Sequence, residues 1–291
     1  MRSGKESSIN GESLQGRVAV VTGASSGIGA AVTRALVHEG VHTAFAARRE
    51  AALIEVQAGL QGGEIRTLTV PTDVTDRRQV KSLVRRTEEE LGPVDVLVNC
   101  AGVMYYTLMS NLHEDDWEQT VDVLCKGMLN CVGAVLGGML DRGRGHIVTI
   151  SSDAGRKVFP GLAVYSGGKF FVEAVSQGLR LETAGTGLKV TTVQPGNVAT
   201  DLAELSHDVE ALELYGQPSG ARVLDPEDVA TAVVHALQQP DHVAVNEIQT
   251  AATIPDARTS CVVDVADRRS TVSALVLALL RSPDFRSTFL R

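Results

Sequence analysis

The feature that most constrains the fold of this chain is an alternation of short apolar runs, rich in β-branched residues, with longer amphipathic stretches. Each apolar run has the length of a strand, and each amphipathic stretch has the length of a helix. Strands that are apolar on both faces belong in a parallel sheet with helices on its two sides. The predicted strands are residues 18–21, 41–46, 65–70, 94–98, 146–150, 188–193 and 243–248.

The stretches between these strands predict the helices that cover the sheet. Right-handed crossovers then give a single doubly wound α/β domain over residues 14–250, with about seven parallel strands. A ligand crevice is expected at the carboxyl ends of the strands. The predicted helices are residues 29–39, 50–60, 77–91, 117–140, 165–182 and 226–238.

Two end segments fall outside this alternation. Residues 1–13 are polar, lack the apolar core of a signal peptide and are interpreted as a flexible tail. Residues 251–291 are interpreted as a C-terminal extension whose only regular part is a helix near residues 271–281. The longest apolar run there, residues 274–280, is too short to cross a bilayer, so we expect a cytoplasmic protein without membrane association.

Composition and residue spacing exclude several classes of function. A net charge of −8 without a clustered basic patch argues against nucleic-acid binding. The four cysteines show no CxxC spacing and are interpreted as thiols of a reducing compartment. The seven histidines form no HxH pair and are spread along the chain, and the sequence predicts no metal site.

A glycine-rich turn joins the first predicted strand to the first predicted helix. Such a turn lets the backbone approach a pyrophosphate, and the helix N-terminus offers free N–H groups and a positive dipole end. The alternative is a tight strand-to-helix turn that binds no ligand. The predicted cofactor-binding residues of this turn are Thr22, Gly23, Ser25, Ser26, Gly27, Ile28 and Gly29.

The end of the second strand bears on the choice of cofactor. Dinucleotide folds that prefer NAD carry an acidic residue there, which bonds the ribose 2′-hydroxyl. Here Arg48 and Arg49 stand at that position, and a guanidinium attracts the 2′-phosphate of NADP(H). The alternative is that both arginines are the solvated start of the second helix.

A serine, a tyrosine and a lysine form the candidate catalytic set. Tyr165 and Lys169 are four residues apart at the start of a predicted helix and share one face, and Ser152 follows the fifth strand. We expect the Lys169 ammonium to lower the pKa of Tyr165, so that Tyr165 acts as a general acid or base. Ser152 would hydrogen-bond the substrate oxygen.

In these motifs the chain resembles the short-chain dehydrogenase/reductase family over about residues 14–250. The resemblance implies a Rossmann fold for these residues. The resemblance implies an NADP-preferring oxidoreductase that interconverts a carbonyl and an alcohol, as in members that act on hydroxy acids and small aldehydes. It implies that Lys169 and Tyr165 also contact the cofactor. The further cofactor contacts that it implies are Asp73, Val74, Asn99, Ala101, Gly102, Pro195, Gly196, Val198 and Thr200.

The chain departs from the family pattern at one position. Leu124 stands where the family has an asparagine that binds a water linking the active-site lysine to solvent, and leucine has no polar atom for this. Asn130 is off the same helical face and is a poor substitute. Three interpretations of Leu124 stay open. Another water route connects the lysine to solvent, or the reaction needs less proton exchange with solvent, or the protein binds a dinucleotide without redox turnover.

The substrate pocket is expected in the loops after the fourth, fifth and sixth strands, which include Met104, Tyr105 and Tyr106. Residues 201–218 form a long mixed stretch that would suit a lid. The resemblance implies a homodimer or homotetramer that pairs the fourth and fifth helices. A cofactor-binding regulator and a non-redox enzyme of the same fold remain the rival classes.

Overall fold

The computed structural model describes residues 12–60, 63–216 and 222–252, and these form a seven-stranded, all-parallel sheet in the order β3-β2-β1-β4-β5-β6-β7. The order reverses between β1 and β4, so the crevice opens at the carboxyl ends of these two strands. The doubly wound α/β fold predicted from the sequence is confirmed. The strands are β1 Val18–Thr22, β2 His42–Ala47, β3 Thr67–Pro71, β4 Val96–Asn99, β5 Gly145–Ile150, β6 Leu188–Pro195 and β7 Glu247–Thr250.

Helices cover both faces of the sheet and create two hydrophobic cores. β1 shows why, since Val18 and Val20 belong to one buried cluster and Ala19 and Val21 to the other. Alternate side chains of a strand point to opposite faces, so a strand that is apolar throughout serves both cores. The helices are α1 Gly27–His38, α2 Glu50–Ala58, α3 Arg77–Glu90, α4 Glu114–Val121, α5 Met128–Arg142, α6 Ala163–Glu182, α7 Val209–Tyr215 and α8 Pro226–Leu237.

The helix predicted at 117–140 is longer and interrupted. α4 and α5 join through a π-helical segment, Asp122–Gly127, in which Leu124 is buried. This long helix, Glu114–Arg142, is the one helix among the described residues that is long and apolar enough to cross a membrane. Its apolar side chains Met128, Val135 and Met139 lie in the core of the domain, as expected for a helix packed on a sheet.

The last strand differs from its prediction. We predicted residues 243–248, but β7 is Glu247–Thr250, and within the described part of the chain it pairs with β6 alone. An edge strand has one bonded neighbour and exposes alternate side chains, so its apolar signal is weak. Of the residues predicted as end segments, 1–11 and 253–291 lie outside the described residues, including the helix predicted near 271–281.

Candidate active site

The turn between β1 and α1 has a geometry that only glycine fits. Gly23 has φ +67°, and a Cβ there would lie 2.7 Å from the Cys100 carbonyl oxygen. Gly27, the first residue of α1, has φ +51°. A Cβ on Gly29 would overlap the carbonyl of Gly23. The turn therefore packs backbone against backbone and leaves a cradle that a side chain would fill.

Two features of the described residues suit this cradle to a pyrophosphate. Ser26 is the N-cap residue of α1 but makes no side-chain capping hydrogen bond, so the N–H groups of Ile28 and Gly29 are not capped by it. Thr22 Oγ1 accepts hydrogen bonds from the Cys100 and Ala101 N–H groups, at 3.2 and 3.3 Å, which ties the turn to the end of β4. Free N–H groups at a helix N-terminus bind anions.

The two arginines after β2 lie beside this turn. Arg49 Nη2 donates to both Ser25 Oγ and Ser26 Oγ at 3.3 Å, so its guanidinium reaches across the glycine turn. Arg48 is exposed, and its charge opposes the rise in the pKa of Tyr105 that burial causes. The arginines predicted to hold a 2′-phosphate are thus at the mouth of the crevice.

The residues after β3 form the adjoining wall. Asp73 Oδ1 accepts from the Thr75 N–H at 2.9 Å and from Thr75 Oγ1 at 2.8 Å, and Val74 is buried. Asn130 Nδ2 donates to the Val74 carbonyl at 2.9 Å, so Asn130 supports this loop. Its side chain is committed there, in agreement with the expectation that it does not replace an asparagine at position 124.

The crossover from β6 carries the last group of predicted cofactor contacts. Pro195 ends β6, the Gly196 N–H donates to the Thr250 carbonyl at 2.8 Å, and Val198 forms a bridge with Leu224. Thr200 Cγ2 would lie 3.0 Å from a Cβ at Gly27, so this loop faces the glycine turn. Ala101 and Gly102, after β4, are partly exposed at the same crevice.

The three candidate catalytic residues come together at the ends of β5 and α6. Ser152 is the second residue after β5 and makes a hydrogen bond with Tyr165, and both side chains are buried. Lys169 Nζ lies 5.7 Å from the centroid of the Tyr165 ring and donates to the Ile150 carbonyl at 2.8 Å. The spacing of four residues places Tyr165 and Lys169 on one face of α6, as predicted.

The pKa of Tyr165 differs from our expectation. Burial raises it to about 12; the hydrogen bond with Ser152 opposes the shift and the negative charge of Asp153 adds to it. We predicted that Lys169 lowers this pKa, but burial has the largest effect on it and raises it. Burial also lowers the pKa of Lys169 to about 8, because it disfavours the charged ammonium. Tyr165 is therefore a neutral phenol, ready to donate a proton.

Leu124 packs against the catalytic helix. Its Cδ1 would lie 2.8 Å from a Cβ placed on Gly168, the residue before Lys169, and its Cδ2 3.5 Å from one on Gly102. The leucine therefore fills the space between α6 and the loop after β4, and it needs glycine at position 168 to do so. Leu124 is recognisable as unusual from the sequence, but its packing partner Gly168 is not, because only the fold brings the two residues together.

A small cavity lies beneath Lys169 on the core side of the site, with Asn99, Thr149 and Leu124 among its lining residues. Asn99 Nδ2 donates to Thr149 Oγ1 at 3.4 Å, whereas Asn99 Oδ1 is buried and has no hydrogen-bond partner among the described residues. A buried amide oxygen without a partner is costly and is usually satisfied by water.

The predicted pocket residues divide into two groups. Met104 and Tyr106 pack beside Tyr165 and Leu124 in a small apolar cluster. Tyr105 instead turns into the protein, where its hydroxyl donates to Gln119 Oε1 at 2.7 Å. The predicted lid contains a 3-10 turn, Asp201–Leu205, and α7, while residues 217 and 218 lie outside the described residues.

Comparison with known proteins agrees with this arrangement. The family model for short chain dehydrogenases matches residues 17–210. An uncharacterized oxidoreductase of Staphylococcus saprophyticus is 42% identical over 237 residues, which cover 81% of this chain and 97% of that protein. The chain is also 63% identical over 235 residues to a glycine betaine reductase of Emericella nidulans, but these residues are only 18% of that protein. The chain thus spans less than a fifth of its length.

Two solved structures resemble the fold closely. A closed form of serine dehydrogenase complexed with NADP+ is 31% identical with a TM-score of 0.73, and the match covers 81% of this chain and 94% of that chain. An alcohol dehydrogenase from Thermococcus sibiricus complexed with 5-hydroxy-NADP is 26% identical with the same TM-score of 0.73, and the match covers 82% and 99%.

Proposed function

The chain belongs to the short-chain dehydrogenase family, and on that premise we propose that it is an NADP(H)-dependent oxidoreductase that interconverts a carbonyl and an alcohol. The observation that carries this proposal is the meeting of Ser152, Tyr165 and Lys169, of which Lys169 lines the same cavity as Thr22 at the start of the glycine turn. A nucleotide-binding scaffold alone would not need a buried tyrosine and a buried lysine at the mouth of the crevice.

The preference for NADP(H) rests on Arg48 and Arg49. The fold presents a glycine cradle and an uncapped helix N-terminus, and Arg49 reaches over them to Ser25 and Ser26. A guanidinium at this point would bind a 2′-phosphate through charge-assisted hydrogen bonds. Two of the similar solved structures hold NADP+ or an NADP derivative, which supports the same choice.

NADP(H), when bound, would supply the hydride, and the residues of this chain would position the carbonyl and transfer the proton. Ser152 would donate a hydrogen bond to the substrate oxygen and hold it beside Tyr165. Tyr165, neutral because burial raises its pKa to about 12, would donate the proton to that oxygen. The charge of Lys169 would stabilise the phenolate that results. A protonated Tyr165 favours reduction of the carbonyl over oxidation of the alcohol.

We infer that Leu124 does not by itself interrupt the supply of protons from solvent to Lys169. We propose that water in the cavity beneath Lys169 bridges Lys169 and Asn99 Oδ1, whose buried oxygen has no partner among the described residues. This is the alternative water route left open by the sequence. Loss of turnover remains the rival reading, and the Leu124→Asn variant distinguishes the two.

The relatives narrow the class of substrate. One is a glycine betaine reductase and another a serine dehydrogenase, and both names refer to small amino-acid-type molecules. The pocket side of the site is partly apolar, with Met104, Tyr106 and Phe159 beside Tyr165. We propose a small aldehyde or ketone substrate that carries a nitrogen substituent.

We further propose a homo-oligomer in the cytoplasm, with no membrane or nucleic-acid partner. Val121, Leu129 and Leu140 on the long helix and Phe170 and Leu181 on α6 are apolar and exposed, as a helix-to-helix interface requires. The described cysteines are free, which suits a reducing compartment. Sedimentation of the purified chain tests the assembly.

The experiment that tests this function is NADPH oxidation with a panel of small aldehydes and ketones, including betaine aldehyde and the aldehyde and ketone related to serine. We expect turnover with at least one of them, and alcohol as the product. Tight NADPH binding without turnover on the whole panel would contradict the proposal. Turnover that appears only in Leu124→Asn would favour a protein that has lost redox activity.

A further inference from the structure

Three side chains outside the catalytic set converge between α4 and the predicted lid. His113 precedes α4, Asp116 lies in its first turn, and His207 follows the 3-10 turn of the lid. One ligand atom from each lies within 4.8 Å of the other two. His207 Nε2 is 3.3 Å from Asp116 Oδ2, and His113 Nδ1 is 3.8 Å from the same oxygen.

The outer nitrogen of each imidazole faces an oxygen acceptor. His207 Nδ1 makes a hydrogen bond of 3.3 Å with the Leu205 carbonyl oxygen, which makes this nitrogen the N–H donor. His113 Nε2 lies 3.4 Å from Asp208 Oδ2. Metal-binding histidines almost always have this arrangement, in which one nitrogen donates to a carbonyl or carboxylate and the other binds the ion.

Asp116 gives a second and independent observation. The residue is 7% exposed, and its Oδ2 is buried with no hydrogen-bond partner among the described residues. A buried carboxylate oxygen without a donor is expensive, and it is aimed at two imidazole nitrogens that carry lone pairs in these tautomers. A cation between the three atoms would satisfy all of them.

We propose that His113, Asp116 and His207 form a binding site for a divalent transition-metal ion, with zinc as the best fit. Two imidazoles and one carboxylate are a common zinc ligand set, with water as the fourth ligand. Ligand atoms of a tetrahedral zinc site lie roughly 3.4 Å apart, because zinc–ligand bonds are about 2.0–2.1 Å long. The contact of 3.3 Å between His207 and Asp116 already has this length.

The ion would join the lid to the body of the domain. The neighbouring Ser206 Oγ accepts from the Tyr106 N–H at 2.9 Å, and Asp208 Oδ2 accepts from the Leu108 N–H at 2.9 Å. Tyr106 packs in the apolar cluster beside Tyr165. A metal at His207 would therefore immobilise the segment that borders the substrate pocket. The catalytic residues would not coordinate this metal.

The sequence predicted no metal site, because these three ligands are not closely spaced along the chain. His113 and Asp116 are three residues apart, but His207 is far along the chain and reaches them only through the fold of the lid. The proposal does not rest on the redox function, since metal binding and NADPH turnover are measured separately.

The test uses the untagged full chain, freed of metal with a chelator and titrated with zinc chloride by calorimetry. We expect one zinc ion per chain with micromolar or tighter affinity, and a rise in Tm of about 5 °C or more at a 100-fold excess over Kd. His207→Ala and Asp116→Asn should weaken binding at least tenfold. His38→Ala, which removes an exposed histidine on α1, should bind as the wild type does.

Cobalt gives a second readout that does not depend on whether a variant is slightly destabilised. The cobalt-loaded wild type should show the visible absorption of a four-coordinate ion. His207→Cys should retain the metal and add a thiolate-to-cobalt charge-transfer band in the near ultraviolet. A wild type that binds no zinc, or ligand variants that bind as tightly as His38→Ala, would overturn the proposal.

Discussion

The two sides of the crevice are built in different ways. On the cofactor side, the glycine turn, the end of β1 and the start of α1 are continuous in sequence, from Val18 to His38. On the substrate side, neighbours come from distant segments: Leu124 packs on Gly168, and His113 meets His207. The glycine turn on the cofactor side is a local motif, whereas the substrate side depends on contacts between distant segments.

This difference predicts where substitutions act. A change in the cofactor turn should disturb backbone geometry and cofactor binding together, because one short segment supplies both. A change on the substrate side should be compensated by a second change at its distant partner, because the pair shares one volume.

The largest effect is expected for Gly23→Ala. The new Cβ would lie 2.7 Å from the Cys100 carbonyl oxygen and would strain a residue at φ +67°. We expect a loss of about 3 kcal/mol in the free energy of unfolding and loss of measurable NADPH binding. Urea unfolding and NADPH fluorescence measure the two effects.

Gly16→Ala is the matched control, because Gly16 has φ +77° but nothing within 4 Å of its Cβ position. It should cost only about 1 kcal/mol, the strain of a left-handed residue. Equal losses in the two variants would mean that backbone strain alone, without the close approach to Cys100, explains the turn.

Lys169→Met tests the buried lysine that lies between the cofactor side and the substrate side of the crevice. The pKa of Lys169 is lowered from 10.5 to about 8, so between these pH values the unfolded chain holds the proton more tightly than the folded chain. The contribution of Lys169 to the free energy of unfolding therefore rises as the pH increases from about 8 to 10.5. It is least favourable below pH 8. The penalty at pH 7 corresponds to roughly 3 kcal/mol.

We expect Lys169→Met to be more stable than the wild type at pH 7 and to lose turnover. Its advantage should shrink by about 2 kcal/mol between pH 8 and pH 9.5, because in this range the folded wild type loses the Lys169 proton while the unfolded chain keeps it. Urea unfolding at several pH values measures this. An advantage that does not depend on pH would show that Lys169 is not held with a lowered pKa.

The packing of the substrate side predicts a smaller effect for Gly168→Ala. Its Cβ would lie 2.8 Å from Leu124 Cδ1, and we expect a loss of about 1–3 kcal/mol from overpacking. In a Leu124→Ala background the Gly168→Ala change should cost little, because the truncated side chain leaves room for the new methyl group. Urea unfolding of the two single variants and the double variant measures the coupling.

Gly167→Ala is the control on the same helix, since nothing lies within 4 Å of its Cβ position. It should be neutral or stabilising by up to about 1 kcal/mol, because alanine favours a helix more than glycine does. If Gly167→Ala destabilised as much as Gly168→Ala, contact with Leu124 would not be the cause.

Arg49→Ala is expected to have the smallest effect on the stability of the folded protein. Its effect should be on the preference for NADPH over NADH. Removal of a charge-assisted contact of 1.5–3 kcal/mol should weaken NADPH binding roughly 10- to 100-fold and leave NADH binding nearly unchanged. Arg78→Ala, an exposed arginine on α3, serves as the control. Equal weakening of both cofactors would contradict a role in binding the 2′-phosphate.

The same comparison explains what the sequence could predict. The fold and the placement of Ser152, Tyr165 and Lys169 followed from strand–helix alternation and from spacing along one helix face, both of which are local. The rise in the pKa of Tyr165 could not be predicted, because burial by neighbours from other segments outweighs the effect of Lys169. The match between Leu124 and Gly168 and the cluster of His113 with His207 also needed the folded chain.

The most direct test of the account compares Tyr165→Phe with the wild type for NADPH affinity and for turnover of one carbonyl substrate. The phenylalanine keeps the ring but removes the hydroxyl that hydrogen-bonds Ser152 and would donate the proton. The account predicts NADPH affinity within about threefold of the wild type and a fall in kcat of at least about 100-fold. Turnover that survives in Tyr165→Phe would contradict the assignment of Tyr165 as the proton donor.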